Sequence, residues 1–433
     1  MGTRPLLERH RAVMPSWMNL YYEDPIELVR GEGRHVFDGE GRRYLDFFGG
    51  LLATMVGHDI PEITEAIREQ AGRILHTSTL YLVRRQVELA ERIAAASGIP
   101  DAKVFFVNSG TEAVETALLL ATQYRRSNQV LALRGSYHGR SFGTVAATGI
   151  RGWSATSLSP LNVTYVHSGY RLRSPFRGLD DAAYVAACKE ELRTIIETAT
   201  AGDVACLIAE PVQGAGGFAT PPPSFFAEMK SVLDEYGILF VSDEVQTGFG
   251  RTGAAYFGIQ AFGVRPDAMA FAKGVANGVA MGGVVARGDL MDCLGANSIS
   301  TAGGNPLACA AAVATLDVIR DRDLQANADR VGARLRDGLR RIAADHACVA
   351  EVRGMGLMIG VEIVTPGTTR PDTALVARIL EECRSRGLLI GRGGLLGNVL
   401  RVTPPMTVTE EEADEALRIL TDVMEEIAAM AAV

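Results

Sequence analysis

The sequence has 433 residues, a formal net charge of −8 and an apolar fraction of 47%, which is enough chain for two or three domains with large cores. Charged residues make up 22%, and the 47 glycines and 17 prolines are near globular averages, which excludes a disordered or collagenous protein. The 51 acidic residues outnumber the 43 basic residues, which argues against nucleic acid as a partner.

Targeting and membrane signals are missing from the sequence. No apolar core follows the basic residues of the first fifteen positions, so we expect no secretory signal. The longest nearly apolar run, residues 307–316, is too short to cross a bilayer. The six cysteines include no CxxC pair, which favours free thiols over a disulfide framework. We therefore expect a cytoplasmic protein with no membrane partner and no metal site.

Residues 1–65 combine short strand-like pieces and turns, and we predict that this N-terminal segment packs with the C-terminal domain. In residues 66–318, short apolar runs alternate with helical patterns, which is typical of a mainly parallel sheet sandwiched by helices. The predicted strands of this large α/β domain are 103–107, 130–133, 163–166, 204–209, 238–241, 268–272 and 283–286, and its helices include 111–124 and 223–236.

Residues 319–433 are predicted to form a smaller α+β domain. A long helical region begins after the Asn-Pro pair at 305–306 and continues to about residue 345. After it come strands at 349–352 and 357–363, a helix at 372–386, a strand pair at 388–390 and 399–402, and a final helix from Glu410.

Polar residues follow five of the predicted strands of the large domain. They occupy segments 108–112, 135–139, 210–214, 243–246 and 273–274. Because open α/β sheets bind ligands beyond the carboxyl ends of their strands, we expect these segments to form one site at one edge of the sheet.

The segment at 108–112 joins a strand to a helix. Gly110 allows close approach of the backbone, and Thr111 offers a hydroxyl and an N–H near the helix N-terminus, which favours an anion such as phosphate. An ordinary helix cap by Ser109 or Thr111 explains the same residues.

Asp243 and Lys273 are the two candidate reactive groups. Asp243 ends an apolar strand, where a carboxylate needs a cationic or hydrogen-bonding partner, although a cap or a salt bridge also fits. Lys273, one of four lysines, is the one with apolar neighbours, and burial favours the neutral amine that a Schiff-base nucleophile needs. A lysine that extends its amine to solvent is the alternative. With Tyr137 able to stack on a ring, these groups together predict pyridoxal phosphate.

The chain resembles the class III (ω-type) aminotransferases, which are fold-type I pyridoxal phosphate enzymes, from about Gly31 to its end. Within the class it is most similar to the alanine–glyoxylate aminotransferase 2 group, on segments 391–394 and 400–406. The motifs that carry the family resemblance are Tyr-Leu-Asp-Phe-Phe at 44–48, Asn-Ser-Gly-Thr-Glu-Ala at 108–113, Tyr-His-Gly at 137–139, Glu-Pro-Val-Gln-Gly at 210–214, Asp-Glu-Val-Gln-Thr-Gly-Phe-Gly-Arg-Thr-Gly at 243–253, Ala-Lys-Gly at 272–274 and Gly-Gly-Asn-Pro at 303–306.

The resemblance implies that Lys273 forms the Schiff base with the cofactor and moves a proton during the reaction. It implies that Asp243 keeps the pyridine nitrogen protonated, which makes the ring an electron sink. The other implied cofactor contacts are Ser109, Gly110 and Thr111 around the phosphate, Tyr137 and Val245 on the two ring faces, Gln246 near the ring hydroxyl, and His138.

The resemblance also implies a shared site and a substrate-binding arginine. Thr301 would reach the phosphate bound by the partner subunit, so a homodimer is expected, alone or paired into a tetramer. Arg401 would bind the α-carboxylate of an amino acid or keto acid, with Glu210 as its alternative partner. For Arg401 a structural salt bridge remains open. The implied reaction is ping-pong transamination between an amino acid or ω-amine donor and an α-keto acid.

Two residues depart from the family pattern. Leu51 stands where decarboxylating members carry Gln, which argues against dialkylglycine decarboxylation. Ala302 stands where relatives commonly have an aromatic residue, which predicts a wider substrate pocket.

Other functions fit parts of the sequence. A pyridoxal phosphate aminomutase or racemase of the same fold fits, and so does an aminotransferase for a bulky biosynthetic substrate. The GxGxxG pattern at 248–253 would suit a nicotinamide oxidoreductase, but it opens no predicted helix and no acidic residue follows at the required distance. A cofactor-binding regulator is disfavoured because no DNA-binding segment is recognised.

Overall fold

The computed structural model of the protein describes residues 3–431. Within that range the strands are β1 (Leu28–Glu32), β2 (His35–Asp38), β3 (Arg43–Asp46), β4 (Ala102–Val107), β5 (Gln129–Leu133), β6 (Asn162–Val166), β7 (Cys206–Ala209), β8 (Leu239–Asp243), β9 (Ala268–Phe271), β10 (Gly282–Arg287), β11 (Val349–Met355), β12 (Met358–Ile363), β13 (Leu388–Leu389), β14 (Gly391–Gly393) and β15 (Val399–Val402).

The helices of the same residues are α1 (Thr3–Val13), α2 (Gly49–Leu52), α3 (Pro61–Ala71), α4 (Arg84–Ser97), α5 (Gly110–Arg125), α6 (Phe142–Ala147), α7 (Asp181–Thr198), α8 (Phe225–Glu235), α9 (Gly288–Met291), α10 (Pro306–Asp321), α11 (Leu324–Asp345), α12 (Thr373–Ser385) and α13 (Glu410–Ala431). None of these helices is both long enough and apolar enough to cross a membrane. The predicted helical region at 306–345 is two helices, α10 and α11, which meet at Asp323 in the left-handed conformation (φ +47°).

Seven strands form the central sheet in the order β4-β10-β9-β8-β7-β5-β6. Neighbouring strands are parallel from β6 through β5, β7 and β8 to β9, whereas β10 is antiparallel to both β9 and β4. The predicted mainly parallel sheet is therefore confirmed, with one reversed strand. β10 is reversed because its connection from β9 contains only the short 3₁₀ turn Lys273–Ala276, and a parallel return needs a longer crossover, usually a helix.

Buried side chains cover both faces of the central sheet. Leu131 and Leu133 of β5 face one core, which includes residues of α7 and α8. Val130 and Ala132 of the same strand face a second core beneath α5. This two-sided burial explains why the strands are continuous apolar runs, and it confirms the predicted α/β class.

Two smaller sheets join distant parts of the chain. One has the order β1-β2-β3-β13, with β13 parallel to β3 so that Leu388 lies opposite Leu45. The other has the order β11-β12-β15-β14. The strands predicted as a pair at 388–390 and 399–402 therefore belong to different sheets, and their predicted pairing is wrong. The partner of β15 on that side is β14, a separate short strand. The division into residues 1–65, 66–318 and 319–433 stays a prediction.

A buried ionic cluster connects the sheet of β11 and β12 to the segment that follows β6. At its centre is Glu362 of β12, whose side chain is fully buried. Arg173 donates to Oε1 of Glu362 from Nη2 at 2.6 Å, and Arg353 donates to Oε2 from Nη1 at 2.7 Å. The hydroxyl of Tyr170 also donates to Oε2. We call these four residues the Glu362 cluster.

Candidate active site

A cavity of about 290 Å³ lies at the carboxyl ends of β4, β8 and β9. Its position confirms the expectation that the polar segments after these strands share one edge of the sheet. Ten of the residues predicted from the sequence line it: Ser109, Gly110, Thr111, Tyr137, His138, Glu210, Asp243, Val245, Gln246 and Lys273.

The start of α5 forms one wall of the cavity. Ser109 caps this helix, because its extended backbone lets Oγ accept the N–H of Glu112 at 3.2 Å. The capping alternative therefore holds for the Ser109 hydroxyl. A Cβ at Gly110 would lie 3.0 Å from Cγ1 of Val245, so any side chain at this position would press on Val245. The free N–H groups at the start of a sixteen-residue helix favour an anion beside Thr111.

Asp243 and His138 form a buried pair in the cavity wall. Oδ2 of Asp243 lies 2.7 Å from Nδ1 of His138, and Oδ1 accepts the backbone N–H of Val245 at 3.1 Å. The Nε2 atom of His138 is buried and has no hydrogen-bond partner among residues 3–431. A carboxylate held in this way can receive the N–H of a cationic ring, since both of its oxygens keep spare lone pairs.

Lys273 begins the short turn after β9 and has φ +46°, a left-handed conformation that is rare for a residue with a side chain. Such strain is often found at functional sites. Burial lowers the pKa of the Lys273 amine, and nearby Asp243 offsets part of that effect. The site therefore favours a neutral amine more than water does, as predicted from its apolar sequence neighbours.

Glu210 follows β7 and is fully enclosed. Its Oε1 accepts the N–H of Tyr137 at 2.9 Å, and its Oε2 accepts the N–H of Gly214 at 2.7 Å. Burial raises the pKa of the Glu210 carboxyl. Among the described residues, the Glu210 carboxylate accepts from Tyr137 and Gly214 and the Arg401 guanidinium donates to Gln246, so these two predicted partners form no ion pair with each other.

Arg401 of β15 is not among the residues that line the cavity, but it contacts Gln246, which is. Its Nη2 donates to Oε1 of Gln246 at 2.9 Å, whereas its Nε is buried without a partner in the described chain. The guanidinium carbon lies 4.6 Å from the ring centroid of Phe218 and 5.6 Å from that of Phe48. The side chain is 4% exposed, which makes the unused donor a candidate contact for a carboxylate.

Thr301 and Ala302 lie outside the cavity lining. Both residues are exposed on the surface of this chain. Their neighbour Ser300 accepts from Nδ2 of Asn108 at 3.3 Å, which places the segment beside the start of α5.

The Tyr137 ring packs edge-to-face against Trp153, with ring centroids 5.7 Å apart.

Residues 48–52 contribute to the site in a way that the sequence did not indicate. All four residues of α2 have φ between +55° and +66°, so this element is a single left-handed turn. The adjacent Gly-Gly pair at 49–50 was a signal for its first half, but nothing marked Leu51 and Leu52. The turn places Phe48 beside Arg401 and leads into Ala53, which lines the cavity.

The segment 243–253 also contains structural residues. Glu244 is fully buried and accepts the N–H groups of Gly258 at 2.7 Å and Ile259 at 2.8 Å. Arg251 is fully buried and donates to the carbonyl of Met55. Residues 248–253 form turns and do not open a helix, so the dinucleotide-binding alternative fails on structure as well as on sequence.

Comparison with known proteins identifies the family. The family model for class III aminotransferases matches residues 20–424. The chain belongs to the class III aminotransferases. This membership shows a transaminase activity with pyridoxal phosphate as the cofactor. The activity and the cofactor predicted from the sequence are therefore confirmed.

Three curated relatives differ in the reactions that their names describe. Alanine–glyoxylate aminotransferase 2 homolog 2 of Arabidopsis thaliana is 36% identical, over 94% of this chain and 85% of its own length. Acetylornithine aminotransferase of Caldanaerobacter subterraneus subsp. tengcongensis is 38% identical, over 95% and 97%. Alanine/serine racemase of Pyrococcus horikoshii is 35% identical, over 96% and 89%. Identity at this level therefore confirms the family without fixing the substrate.

A solved structure agrees with the fold over nearly the whole chain. It is an amine transaminase from an uncultivated Pseudomonas species in its pyridoxal phosphate-bound form, with a TM-score of 0.88 and 32% identity over 96% of this chain and 98% of its own. The residues of the present cavity fit the same cofactor. They offer an anion site at the start of α5, a buried carboxylate for a ring nitrogen and a buried amine for an aldehyde.

Proposed function

We propose that this protein is a ping-pong transaminase that moves an amino group between an amino acid or ω-amine donor and an α-keto acid. One observation carries the proposal: a buried amine of lowered pKa, Lys273, and a buried carboxylate, Asp243, line the same cavity at the strand ends. Pyridoxal phosphate, when bound, supplies a carbonyl carbon that condenses with amines and a ring that takes up electron density.

Three groups of residues would hold the cofactor. Gly110 and Thr111, at the start of α5, would bind the phosphate with Ser109 fixing the helix end. Asp243, oriented by His138, would accept the N–H of the ring nitrogen and keep that proton in place. Tyr137, Val245 and Gln246 would contact the ring from its faces and its edge.

Lys273 is proposed as the catalytic residue. Its Nζ would take the proton from Cα of the bound amino acid and deliver it to C4′, the former aldehyde carbon of the cofactor, and would move a proton in the opposite direction in the second half-reaction. The lowered pKa supports this role, because a base must be unprotonated before it can accept a proton.

Arg401 is proposed to bind the α-carboxylate of the amino acid or keto acid. Its unpartnered Nε and its enclosure between Phe48 and Phe218 support this role. Glu210 would become its partner when a substrate without a carboxylate enters, but the carboxylate would first have to leave the N–H groups of Tyr137 and Gly214. We propose alanine/pyruvate or glutamate/2-oxoglutarate for this half-reaction, and a larger or ω-amino substrate for the other.

A homodimer would complete the site, and pairs of dimers could form a tetramer. Thr301 and Ala302 are exposed here, as are Leu51 (47%), Ile299 (50%) and Leu82 (99%). Large exposed apolar side chains of this kind are typical of surfaces that another subunit covers. We further propose a cytoplasmic location, which the free state of all six cysteines supports.

A racemase of the same fold is a second candidate, favoured by the Pyrococcus horikoshii relative. A half-reaction screen separates the two functions. The holoenzyme is mixed with single amines and amino acids, with no keto acid present, and its visible absorbance is followed. A transaminase stops after one equivalent with its cofactor converted to the amine form, whereas a racemase interconverts enantiomers through many turnovers. An unchanged spectrum with all donors, in an enzyme loaded with cofactor, contradicts the proposed transamination.

A further inference from the structure

Both glycines of strand β14 face Arg401, the arginine proposed above to bind substrate. Gly391 pairs with Arg401 and Gly393 pairs with Val399 in the antiparallel register of β14 and β15. Opposite residues of an antiparallel pair point to the same face, and side chains alternate along a strand. The positions of Gly391, Gly393 and Val399 therefore lie on the same face as Arg401.

Glycine at these two positions is required for space and not for backbone conformation. Neither residue has a left-handed φ, unlike Gly394 (φ +90°) and Gly397 (φ +72°) nearby. A Cβ at Gly391 would lie 2.1 Å from Cε2 of Phe48, and a Cβ at Gly393 would lie 2.7 Å from Cδ of Arg401. Both distances are far inside van der Waals contact, so either methyl group would displace its neighbour.

The space left by the two glycines holds the groups that position the arginine. The guanidinium carbon of Arg401 lies over the Phe48 ring, which in turn packs on Tyr21 with ring centroids 5.3 Å apart. The buried Nε of Arg401 has no partner in the described chain. A shift of Phe48 or of the arginine stem would therefore move a donor that is free for a ligand.

We propose that Gly391 and Gly393 determine specificity by setting where the Arg401 guanidinium lies above β14. Gly393 acts directly on the arginine stem, and Gly391 acts through Phe48. Both are positioning residues that favour substrates with an α-carboxylate over amines without one. This inference rests on the proposed role of Arg401.

The test compares L-alanine with ethylamine, its decarboxylated counterpart, in single-turnover half-reactions of the holoenzyme. For Gly393→Ala we expect the preference for L-alanine to fall roughly tenfold to a hundredfold, which corresponds to the usual cost of overfilling a packed site. The change should appear mainly in the concentration dependence for L-alanine, with little change for ethylamine. Gly178→Ala is the matched control, because its Cβ would meet no described atom within 4 Å.

A second pair of variants keeps the inference testable if Gly393→Ala fails to fold. Gly391→Ala should also lower the preference for L-alanine, and adding Phe48→Ala should bring it back to the level of Phe48→Ala alone. An Arg401→Ala variant that loses the preference while Gly391→Ala and Gly393→Ala keep it would overturn the inference. If the wild type and Arg401→Ala show equal preferences, the proposed role of Arg401 is wrong, and the inference falls with it.

Discussion

Nδ1 of His138 lies 2.7 Å from Oδ2 of Asp243, and both side chains are buried in the cavity wall. Because Val245 donates its N–H to the other oxygen of Asp243 at 3.1 Å, the carboxylate is held from two sides. Its orientation is therefore fixed before any ligand enters, as an electrostatic contribution to catalysis requires.

Asp243→Asn should cripple transamination while leaving the fold intact. The neutral amide no longer favours a protonated ring nitrogen, and losses of this kind are on the order of 10²-fold or more in kcat. Steady-state kinetics with matched cofactor occupancy measure the effect. A kcat close to that of the wild type would show that Asp243 has another role. His138→Gln should lose less than Asp243→Asn, because an amide N–H can still donate to Oδ2.

Lys273→Ala should abolish turnover and leave the cofactor bound without a covalent link. The variant removes the one buried amine of the cavity, whereas the contacts proposed for the phosphate and the ring remain. Borohydride reduction followed by peptide mass spectrometry detects the covalent link. Lys103→Ala is the control, since Lys103 forms a surface pair with Asp292. Transamination above a trace rate in Lys273→Ala would refute the assignment.

Arg401→Ala should raise KM for the α-keto acid far more than KM for an amine that has no carboxylate. A hydrogen bond between charged groups contributes about 1.5–3 kcal/mol, which corresponds to roughly a tenfold to hundredfold change. Arg418→Ala serves as the control, because that arginine is exposed and forms a surface pair with Asp422. Equal losses for both substrate classes would indicate a structural role for Arg401.

Ala302→Phe should have the opposite selectivity. The added ring takes up space beside the start of α5, where we propose that the partner subunit completes the substrate pocket. The pocket should therefore become narrower. Overfilling costs about 1–3 kcal/mol, so the bulky or ω-amino substrate should lose activity while pyruvate is spared. Kinetics with one small and one bulky substrate measure the ratio. If Arg401→Ala and Ala302→Phe each impair both half-reactions equally, the proposal that Arg401 serves one half-reaction and the surface at Ala302 the other is wrong.

Glu362→Gln should destabilise the protein by about 3–5 kcal/mol, because it leaves the buried Arg353 and the partly buried Arg173 without a full counter-charge. Although burial alone would raise it, Arg353, Tyr170 and Arg173 together lower the pKa of Glu362. The carboxylate therefore stabilises the fold above its unfolded pKa, about 4.3, and this stabilisation is lost as pH falls through the lower folded pKa.

Urea unfolding of the wild type and Glu362→Gln at several pH values tests this expectation. The difference between them should be largest near neutral pH and should shrink in acid. Asp422→Asn is the control, because that carboxylate belongs to an exposed pair, and exposed pairs contribute little. A difference that does not change with pH would show that the charge of Glu362 is not what stabilises the cluster.

The sequence predicted those parts of the fold that depend on local pattern. Buried strands such as β5 and β8 are continuous apolar runs, and the polar residues after them meet because parallel strands end at one edge. The reversal of β10 was not predicted, since an apolar run has no direction. β13 lies within the strand predicted at 388–390, whereas β14 was not predicted, because its three residues are too few for a period to be recognised.

The site was predicted less completely where it depends on contacts between distant residues. Arg401 and Gln246 are 155 positions apart, and their contact depends on how β15 packs beside the segment that follows β8. Local sequence gave no reason to prefer Gln246 over Glu210 as the neighbour of the arginine. Likewise, two leucines in left-handed conformation contradict local preference, and only the surrounding structure keeps them there.

The pairing of β3 with β13 has a consequence for how the protein is made. All seven strands of the central sheet lie between Ala102 and Arg287, so this sheet can form while the ribosome is still adding the later residues. In the finished fold Leu45 and Phe47 are almost fully buried. They can be covered only after Leu388, Leu389 and Thr403, which pair with them, have been synthesised. During translation these apolar side chains are uncovered, so we expect the nascent chain to need a chaperone over that interval and to become competent for catalysis only after its release.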